Sequence, residues 1–140
     1  MNIQPTLLDT NILSAIMRRE PQVTARARAY LLEHRRFTFS VITRYEVMRG
    51  LLAKGAVRQQ QAFEQLCAVS TVLPLTDEAA HQAAAIYADL HNRGALIGDA
   101  DILIAATAIV NGLAVATNNE AHFARITFVT IENWLARTDF

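Results

Sequence analysis

The stretch GDADILIAATAIVNGLAVAT, residues 98–117, contains an apolar helical segment followed by a short apolar strand, LAVAT. Two carboxylates, Asp99 and Asp101, stand at the entrance to this helix. Carboxylates avoid buried surroundings unless something pairs with them or needs them. The stretch therefore predicts a buried helix and a buried strand, together with a polar site where the helix begins.

The same alternation of strand and helix continues on both sides of this stretch. β-branched, aromatic or apolar runs predict further strands at TLLDT (6–10), FTFSVI (37–42), STVLPL (70–75) and TFVTI (127–131). Helical spacing predicts helices over 11–19, capped by Thr10 or Asn11, and over 21–36, 43–55, 56–69, 76–94 and 120–126. Strands separated by helices indicate an α/β fold with a mainly parallel sheet covered on both faces. The length of 140 residues predicts a single domain, 1–140.

Composition and charge restrict the class of protein. No basic, apolar leader and no long uncharged run is present, which predicts a cytoplasmic protein without membrane contact. The lone Cys67 has apolar neighbours and is expected in the core. Residues 1–60 carry a formal charge of +6 and residues 61–140 one of −6, and twelve of the thirteen cations are arginine. An arginine-rich half is suited to binding phosphate.

Three acids from distant stretches fall where one site could form. Binding sites of parallel α/β sheets lie at the carboxyl ends of the strands. Asp9 ends the first strand, Glu46 follows the second, and Asp101 opens the helix before LAVAT with Asp99 as its expected cap. Each acid but Asp9 also has a plain structural explanation: Asp99 as a helix cap, Asp101 as a partner of the helix dipole, and Glu46 in an ion pair with Arg49. Asp9 lacks one, because a charge that closes an apolar strand is costly.

Clustered carboxylates repel each other unless they share protons or hold a cation. Oxygen ligands favour Mg²⁺, with Mn²⁺ as the alternative, and the four histidines show no ligand spacing and are expected at the surface or in the core. Such a site suits cleavage of phosphate esters. A non-catalytic Rossmann-like binding module is the alternative from another class, although no glycine-rich phosphate loop follows the first strand. A metal-dependent phosphatase with an aspartyl nucleophile would need an acid at Asn11, and a serine or cysteine hydrolase would need a nucleophile elbow or a paired histidine.

The segments LLDTNIL, SVITRYEVMRG, IGDADILIAATAIVNGLAVAT and TNNEAHFARI, in this order and spacing, resemble the PIN-domain ribonucleases, and in particular the VapC-type toxins of bacterial toxin–antitoxin pairs. The resemblance covers residues 6 to 135. It implies a three-layer α/β/α sandwich with a mainly parallel sheet and a Mg²⁺-dependent endoribonuclease that hydrolyses RNA. It also implies a homodimer, and an antitoxin whose C-terminal segment occupies the acidic groove.

The resemblance also implies roles for individual residues. Asp9, Glu46 and Asp101 take the places of the three catalytic, metal-binding acids, and Asp99 is expected as an accessory ligand or cap. Asn119, two residues after Thr117, stands where the family often has a fourth acid, so the number of metal ions is left open, with Glu120 as a neighbouring carboxylate. Substrate-positioning or supporting roles are implied for Asn11, Thr43, Thr117 and Asn119. We expect arginines of the N-terminal half to hold the RNA strand.

Overall fold

The structure is a computed structural model that describes residues 2–136, and in this part of the chain seven helices surround a five-stranded sheet in which every pairing is parallel. The strands are β1 (Thr6–Leu8), β2 (Thr38–Ser40), β3 (Thr71–Leu73), β4 (Ala114–Ala116) and β5 (Ile131–Glu132). The helices are α1 (Thr10–Met17), α2 (Pro21–His34), α3 (Val41–Ala53), α4 (Val57–Ala68), α5 (Asp77–Asn92), α6 (Asp99–Val110) and α7 (Glu120–Phe123). The predicted α/β class is confirmed.

The sheet order, β3-β2-β1-β4-β5, places β1 in the centre. Leu7 lies opposite Val115 and Leu8 opposite Ala116, so β1 and β4 run side by side in register. The backbone N–H of Asp9 continues this pairing with a 3.0 Å hydrogen bond to the carbonyl of Ala116. The residues that follow β1, β2 and β4 therefore emerge at the same edge of the sheet.

Each face of the sheet is covered by helices, which confirms the three-layer sandwich. Because side chains alternate along a strand, Leu8 and Ala116 face one layer, whereas Leu7 and Val115 face the other. The first layer is built mainly from α1, α2 and α4, with Ile12, Tyr30, Phe63 and Cys67 in its core. The second is built from α5, α6 and α7, with Leu90, Ile104 and Phe123 in its core. Cys67 is buried, as predicted.

Several predicted boundaries were wrong. Helix α1 is capped by the Asp9 carboxylate, which accepts a hydrogen bond from the Ile12 N–H, rather than by Thr10 or Asn11. Helix α3 begins at Val41 and not at Thr43, because the Ser40 hydroxyl caps it. The N-cap of α6 is Gly98, so Asp99 is the first helical residue and not the cap.

All five strands are shorter than the stretches predicted for them, and two of these differences have a clear local cause. The last strand, predicted from residue 127, begins only at Ile131, because Phe128 adopts a left-handed backbone conformation with φ 72° that a strand does not accept. Strand β3 ends at Leu73, immediately before Pro74, which lacks an N–H for the ladder.

Between residues 2 and 136, no helix is both long and apolar enough to cross a bilayer.

Candidate active site

Asp9 is a buried carboxylate at the centre of the sheet edge. It follows β1 directly, caps α1, and is only 4% exposed. The pKa of Asp9 is raised to about 6, chiefly by burial, with the negative charge of Asp101 acting in the same direction. Hydrogen bonds from the Thr117 hydroxyl and from the backbone N–H groups of Ile12 and Asn11 partly oppose this rise. The Asp9 carboxylate is thus held in place by hydrogen bonds, but these hydrogen bonds do not offset the cost of burying its charge.

Asp101 approaches Asp9 from α6, whose apolar remainder is buried. Its carboxylate is 26% exposed, and one oxygen, Oδ2, lies 3.3 Å from Asn119 Nδ2 and 3.3 Å from His122 Nδ1. Asn119 Nδ2 and His122 Nδ1 are themselves 2.7 Å apart. The three side chains form a closed cluster at the carboxyl end of β4.

Thr117 connects this cluster to Asp9. The hydroxyl of Thr117, a fully buried residue, donates to Asp9 and accepts a 2.8 Å hydrogen bond from the Asn119 N–H. The residue after β4 thereby fixes both the acid that follows β1 and the loop that carries Asn119. The supporting roles that the resemblance implied for Thr117 and Asn119 stay predictions.

Glu46, on α3, reaches the site through a neighbour of Asp9. The Thr10 hydroxyl donates to Glu46 Oε1 at 2.6 Å and lies 3.4 Å from the hydroxyl of buried Thr43. Glu46 Oε2 is also 3.6 Å from the guanidinium of Arg49, the ion pair that the sequence spacing indicated. Glu46 is therefore linked to Thr10, the residue that follows Asp9, but the structure does not bring it into one cluster with Asp9 and Asp101.

The structure leaves two predicted residues at the rim. Asn11 and Asp99 are both exposed, and between residues 2 and 136 neither side chain makes a hydrogen bond or an ion pair. Glu120, the carboxylate next to Asn119, accepts a 3.0 Å hydrogen bond from Asn133.

Two residues of the site were missed by sequence reasoning. His122 was expected in the core or on the surface, but its ring contacts Asp101 and Asn119. Its position three residues after Asn119, on one face of a short helix, was the available signal. Thr10 was treated only as a helix cap, although it is adjacent to Asp9.

The residues present fit a magnesium ion in part. A buried carboxylate beside a second carboxylate is a pair that a cation would stabilise. Within the described residues no three His, Cys, Asp or Glu side chains are close enough to form a metal site by themselves. Mg²⁺ commonly uses one or two carboxylates and keeps several waters, so Asp9 and Asp101 form a sufficient donor set.

Comparisons with known proteins agree with this fold. The PIN domain matches residues 6–129. The VapC ribonuclease Y4jK of Sinorhizobium fredii is 34% identical over 137 residues, covering 91% of this chain and 96% of the relative. Ribonuclease VapC2 of Haemophilus influenzae is 30% identical over 131 residues, covering 92% of this chain and 97% of the relative. A crystal structure of DNA-bound VapBC from Salmonella typhimurium superposes with a TM-score of 0.82 at 30% identity, covering 94% of this chain and 99% of that one.

The fold and the carboxylates of Asp9 and Asp101 define an α/β protein with an acidic site at the carboxyl ends of its central strands. The chain belongs to the PIN-domain family, in the branch of the VapC ribonucleases.

Proposed function

We propose that this protein is a Mg²⁺-dependent endoribonuclease and the toxin of a toxin–antitoxin pair. One observation carries the proposal: the buried carboxylate of Asp9, after β1, and the carboxylate of Asp101, on α6, meet at one edge of the sheet, where both contact the segment of Thr117 and Asn119. The relatives named as VapC ribonucleases supply the substrate class, RNA. The cytoplasm, where cellular RNA is translated, is the proposed location.

Asp9 and Asp101 would hold the ion, with Glu46 as the third acid. When bound, the ion neutralises charge on the phosphodiester and makes attack by water feasible near neutral pH. We propose that Asn11 and Asp99, at the rim, contact the RNA or the water around the ion, and that Thr43 supports Glu46 through Thr10.

The protein's own side chains keep the acids in place. Thr117 and the first turn of α1 fix Asp9, while Asn119 and His122 fix Asp101. Thr10 orients Glu46. Metal-binding carboxylates that are held by such hydrogen bonds lose little freedom when the ion binds, which favours affinity and rate.

Arg49 is the arginine of the N-terminal half best placed to hold RNA. Its guanidinium is next to Glu46 and lies 5.1 Å from the ring centre of Tyr45, and both Arg49 and Tyr45 are well exposed. An arginine beside an exposed aromatic ring can contact a phosphate while the ring stacks on a base. Arg44, by contrast, is held by both carboxylate oxygens of Glu64.

A groove beside Glu46 is the proposed binding site of the antitoxin segment. The groove has a volume of about 520 Å³ and runs from Thr10 and Glu46 between α1, α3 and α4. Its walls include the apolar side chains of Met17, Val47 and Leu51. The solved VapBC complexes are the reason for expecting a protein partner, and the resemblance is the reason for placing its C-terminal segment in this groove.

The implied homodimer remains a prediction. Sedimentation velocity at several concentrations tests it, with a dimer at all but the lowest concentrations as the expected result.

Incubation of total cellular RNA with the purified protein tests the proposed function. Mg²⁺ or Mn²⁺ should yield discrete fragments, and EDTA or the variant Asp101→Ala should yield none. Release of inorganic phosphate from a phosphomonoester without RNA cleavage would favour the phosphatase. A thermal midpoint that does not respond to Mg²⁺, together with intact RNA, would favour a binding module.

A further inference from the structure

The groove between α1, α3 and α4 begins beside the acidic edge of the sheet and leads away from it. Residues spaced four apart along α1 and α3, including the C-cap of each helix, line the groove in two rows: Thr10, Ser14, Arg18, Glu46, Gly50 and Lys54. Residues at this spacing share one face of a helix. At the near end, the Thr10 hydroxyl donates to Glu46 at 2.6 Å, and Thr10 directly follows Asp9. The groove is therefore continuous with the acidic edge, and Lys54 lies about 12 Å further along α3 than Glu46, at 1.5 Å per residue.

The far end of the groove carries two cations, and one of them has no ion-pair partner. Arg18 donates two hydrogen bonds to Glu20 Oε1, at 2.8 and 3.1 Å. Lys54, the only lysine of the chain, is exposed, and its ammonium makes no ion pair with any residue between 2 and 136. The groove thus has a carboxylate at the end near Asp9 and an available positive charge at the other end.

Gly50 keeps the middle of the groove open. It lies in the interior of α3, where glycine is less favourable than alanine. Its backbone is not left-handed, and a Cβ built on it would meet no atom within 4 Å. The fold itself therefore does not require this glycine, whereas a molecule that lies close against α3 in the groove would.

The chemistry of the groove fits a strand of RNA. A polyanion can place one phosphate at the acidic edge, where the proposed ion offsets the carboxylates, and a later phosphate at Lys54. The apolar walls formed by Met17, Val47 and Leu51 suit the faces of unstacked bases, which enzymes acting on nucleic acids place against aromatic or apolar side chains. A peptide would need an acidic residue at one matching position, whereas RNA carries a charge at every linkage.

We propose that the RNA strand runs from the acidic edge through this groove, with Lys54 bound to a phosphate beyond the scissile one and the nucleotide before it packed over Gly50. This inference rests on the proposed endoribonuclease function. Arg49 lies outside the groove, so Lys54 and Arg49 contact different phosphates of the strand. An antitoxin segment in the same groove would compete with the RNA.

A methylphosphonate scan tests the contact at Lys54. The substrate is a synthetic RNA that spans one site cleaved in total cellular RNA, with a single uncharged methylphosphonate linkage placed in turn at each position outside the scissile one. In the wild type, a linkage on one side of the cleavage site should raise KM by up to about fivefold, as expected for the loss of one exposed charge contact, with little change in kcat. In Lys54→Gln the same linkage should have no further effect.

The variants of Lys54 also differ in their response to salt. Lys54→Gln should raise KM for the unmodified RNA and should make the slope of log affinity against log salt concentration shallower by about one. Lys54→Arg keeps the positive charge and should behave as the wild type in both measurements. Unchanged thermal midpoints would show that both variants fold.

Gly50→Leu tests the path of the strand independently of charge. The leucine side chain would occupy the middle of the groove, so KM should rise by more than in Lys54→Gln. The thermal midpoint should stay at or above that of the wild type, because leucine favours a helix more than glycine does.

The outcomes distinguish this inference from the function on which it rests. RNA cleavage by the wild type, with the same sensitive linkages in Lys54→Gln, would overturn the contact at Lys54 and leave the nuclease proposal standing. Unchanged KM in both Lys54→Gln and Gly50→Leu would exclude RNA from the groove and leave the groove to the protein partner. No RNA cleavage by the wild type with Mg²⁺ or Mn²⁺ would refute the proposed function, and the RNA path with it.

Discussion

Asp9 is a carboxylate buried beside a second carboxylate, an arrangement that costs free energy when both are charged. Its burial follows from the fold, because Asp9 directly follows the central strand of a sheet that is covered on both faces. The charged pair of Asp9 and Asp101 therefore lowers the stability of the metal-free protein, and the same pair favours cation binding. Sequence reasoning anticipated this at Asp9, because no structural role there explained a charge.

The variant Asp9→Asn should stabilise the metal-free protein at neutral pH. A folded-state pKa of about 6, against an ordinary value of 3.8, corresponds to at most ~3 kcal/mol. Because the folded pKa is raised, the stability that the protonated carboxyl contributes is complete below the ordinary pKa and is lost as the pH rises through 6. Asparagine also caps helices well. Urea denaturation of both proteins in EDTA, near pH 7.5 and near pH 4, measures the difference.

The gain from Asp9→Asn should be larger near pH 7.5 than near pH 4. A gain that is equal at both values, or larger at the acidic one, would show that Asp9 is not the group whose charge opposes folding.

Thr10→Val should slow RNA cleavage while leaving the fold intact. Valine has nearly the shape of threonine, but the 2.6 Å hydrogen bond to Glu46 is lost. The stability cost should be about 1 kcal/mol, the usual contribution of such a bond. The control is Thr10→Ser, which keeps the hydroxyl and should cleave at close to the wild-type rate. Equal rates in Thr10→Val and wild type would remove Thr10 and Glu46 from the mechanism.

Arg49→Ala should weaken RNA binding, raising KM more than it lowers kcat, because the residue is expected to hold the strand rather than the reacting atoms. The slope of the logarithm of RNA affinity against the logarithm of salt concentration should become shallower by about one, because one fewer counterion is released on binding. Arg44→Ala is the matched control, because its guanidinium is already engaged by Glu64. Indistinguishable KM values for the two variants would contradict an RNA contact at Arg49.

The site residues that escaped prediction are those whose roles depend on long-range contacts. His122 has no ligand spacing to another histidine or acid, and it meets Asp101 only because α6 and the loop after β4 converge. The contact between Thr10 and Glu46 joins residues that are 36 positions apart in sequence. Local sequence patterns indicate which charged residues would be unfavourable to bury. The side chains that contact each other at the edge of the sheet can be identified only from the fold.

At the scale of the elements, the type of each helix and strand was predicted correctly, and errors lay at the ends. Side-chain capping decided two of these errors, since Asp9 caps α1 and Ser40 caps α3, and these helices begin one and two residues before the predicted starts. The strand predicted over 127–131 begins only at Ile131, because the backbone of Phe128 has a left-handed conformation. The β-branched neighbours of Phe128 did not indicate this conformation. Capping hydrogen bonds outweigh the weak propensities of the residues around them.

Gly50→Ala should stabilise the protein by about 0.5–1 kcal/mol. Gly50 is an interior residue of α3, and a Cβ built on it meets no atom within 4 Å. Alanine restricts the unfolded chain and favours the helix. The control, Gly55→Ala, should destabilise, because Gly55 has a left-handed backbone at φ 63°. Thermal or urea unfolding measures the stability of both variants. If Gly50→Ala were less stable than the wild type, there could be no free space for a Cβ at Gly50.

At the scale of the whole molecule, the sequence indicated the parallel sheet and its two helical layers, because strands and helices alternate throughout the chain. The strand order β3-β2-β1-β4-β5 was not predictable in the same way, since pairing depends on contacts between distant segments. That order creates the site, because it places β1 beside β4 and thereby Asp9 beside Thr117 and Asp101.

The central claim is that Asp9 and Asp101 act together on RNA through a divalent cation. The most direct measurement is the rate of Mg²⁺-dependent cleavage of one RNA by the wild type, by Asp101→Asn and by Asp99→Asn. Asp101→Asn should fall by at least ~100-fold, because removing a ligand costs more than removing an outer partner. Asp99→Asn changes an exposed rim residue that is not proposed to hold the ion directly, so it should lose much less of the rate than Asp101→Asn. Wild-type cleavage by Asp101→Asn would contradict the account.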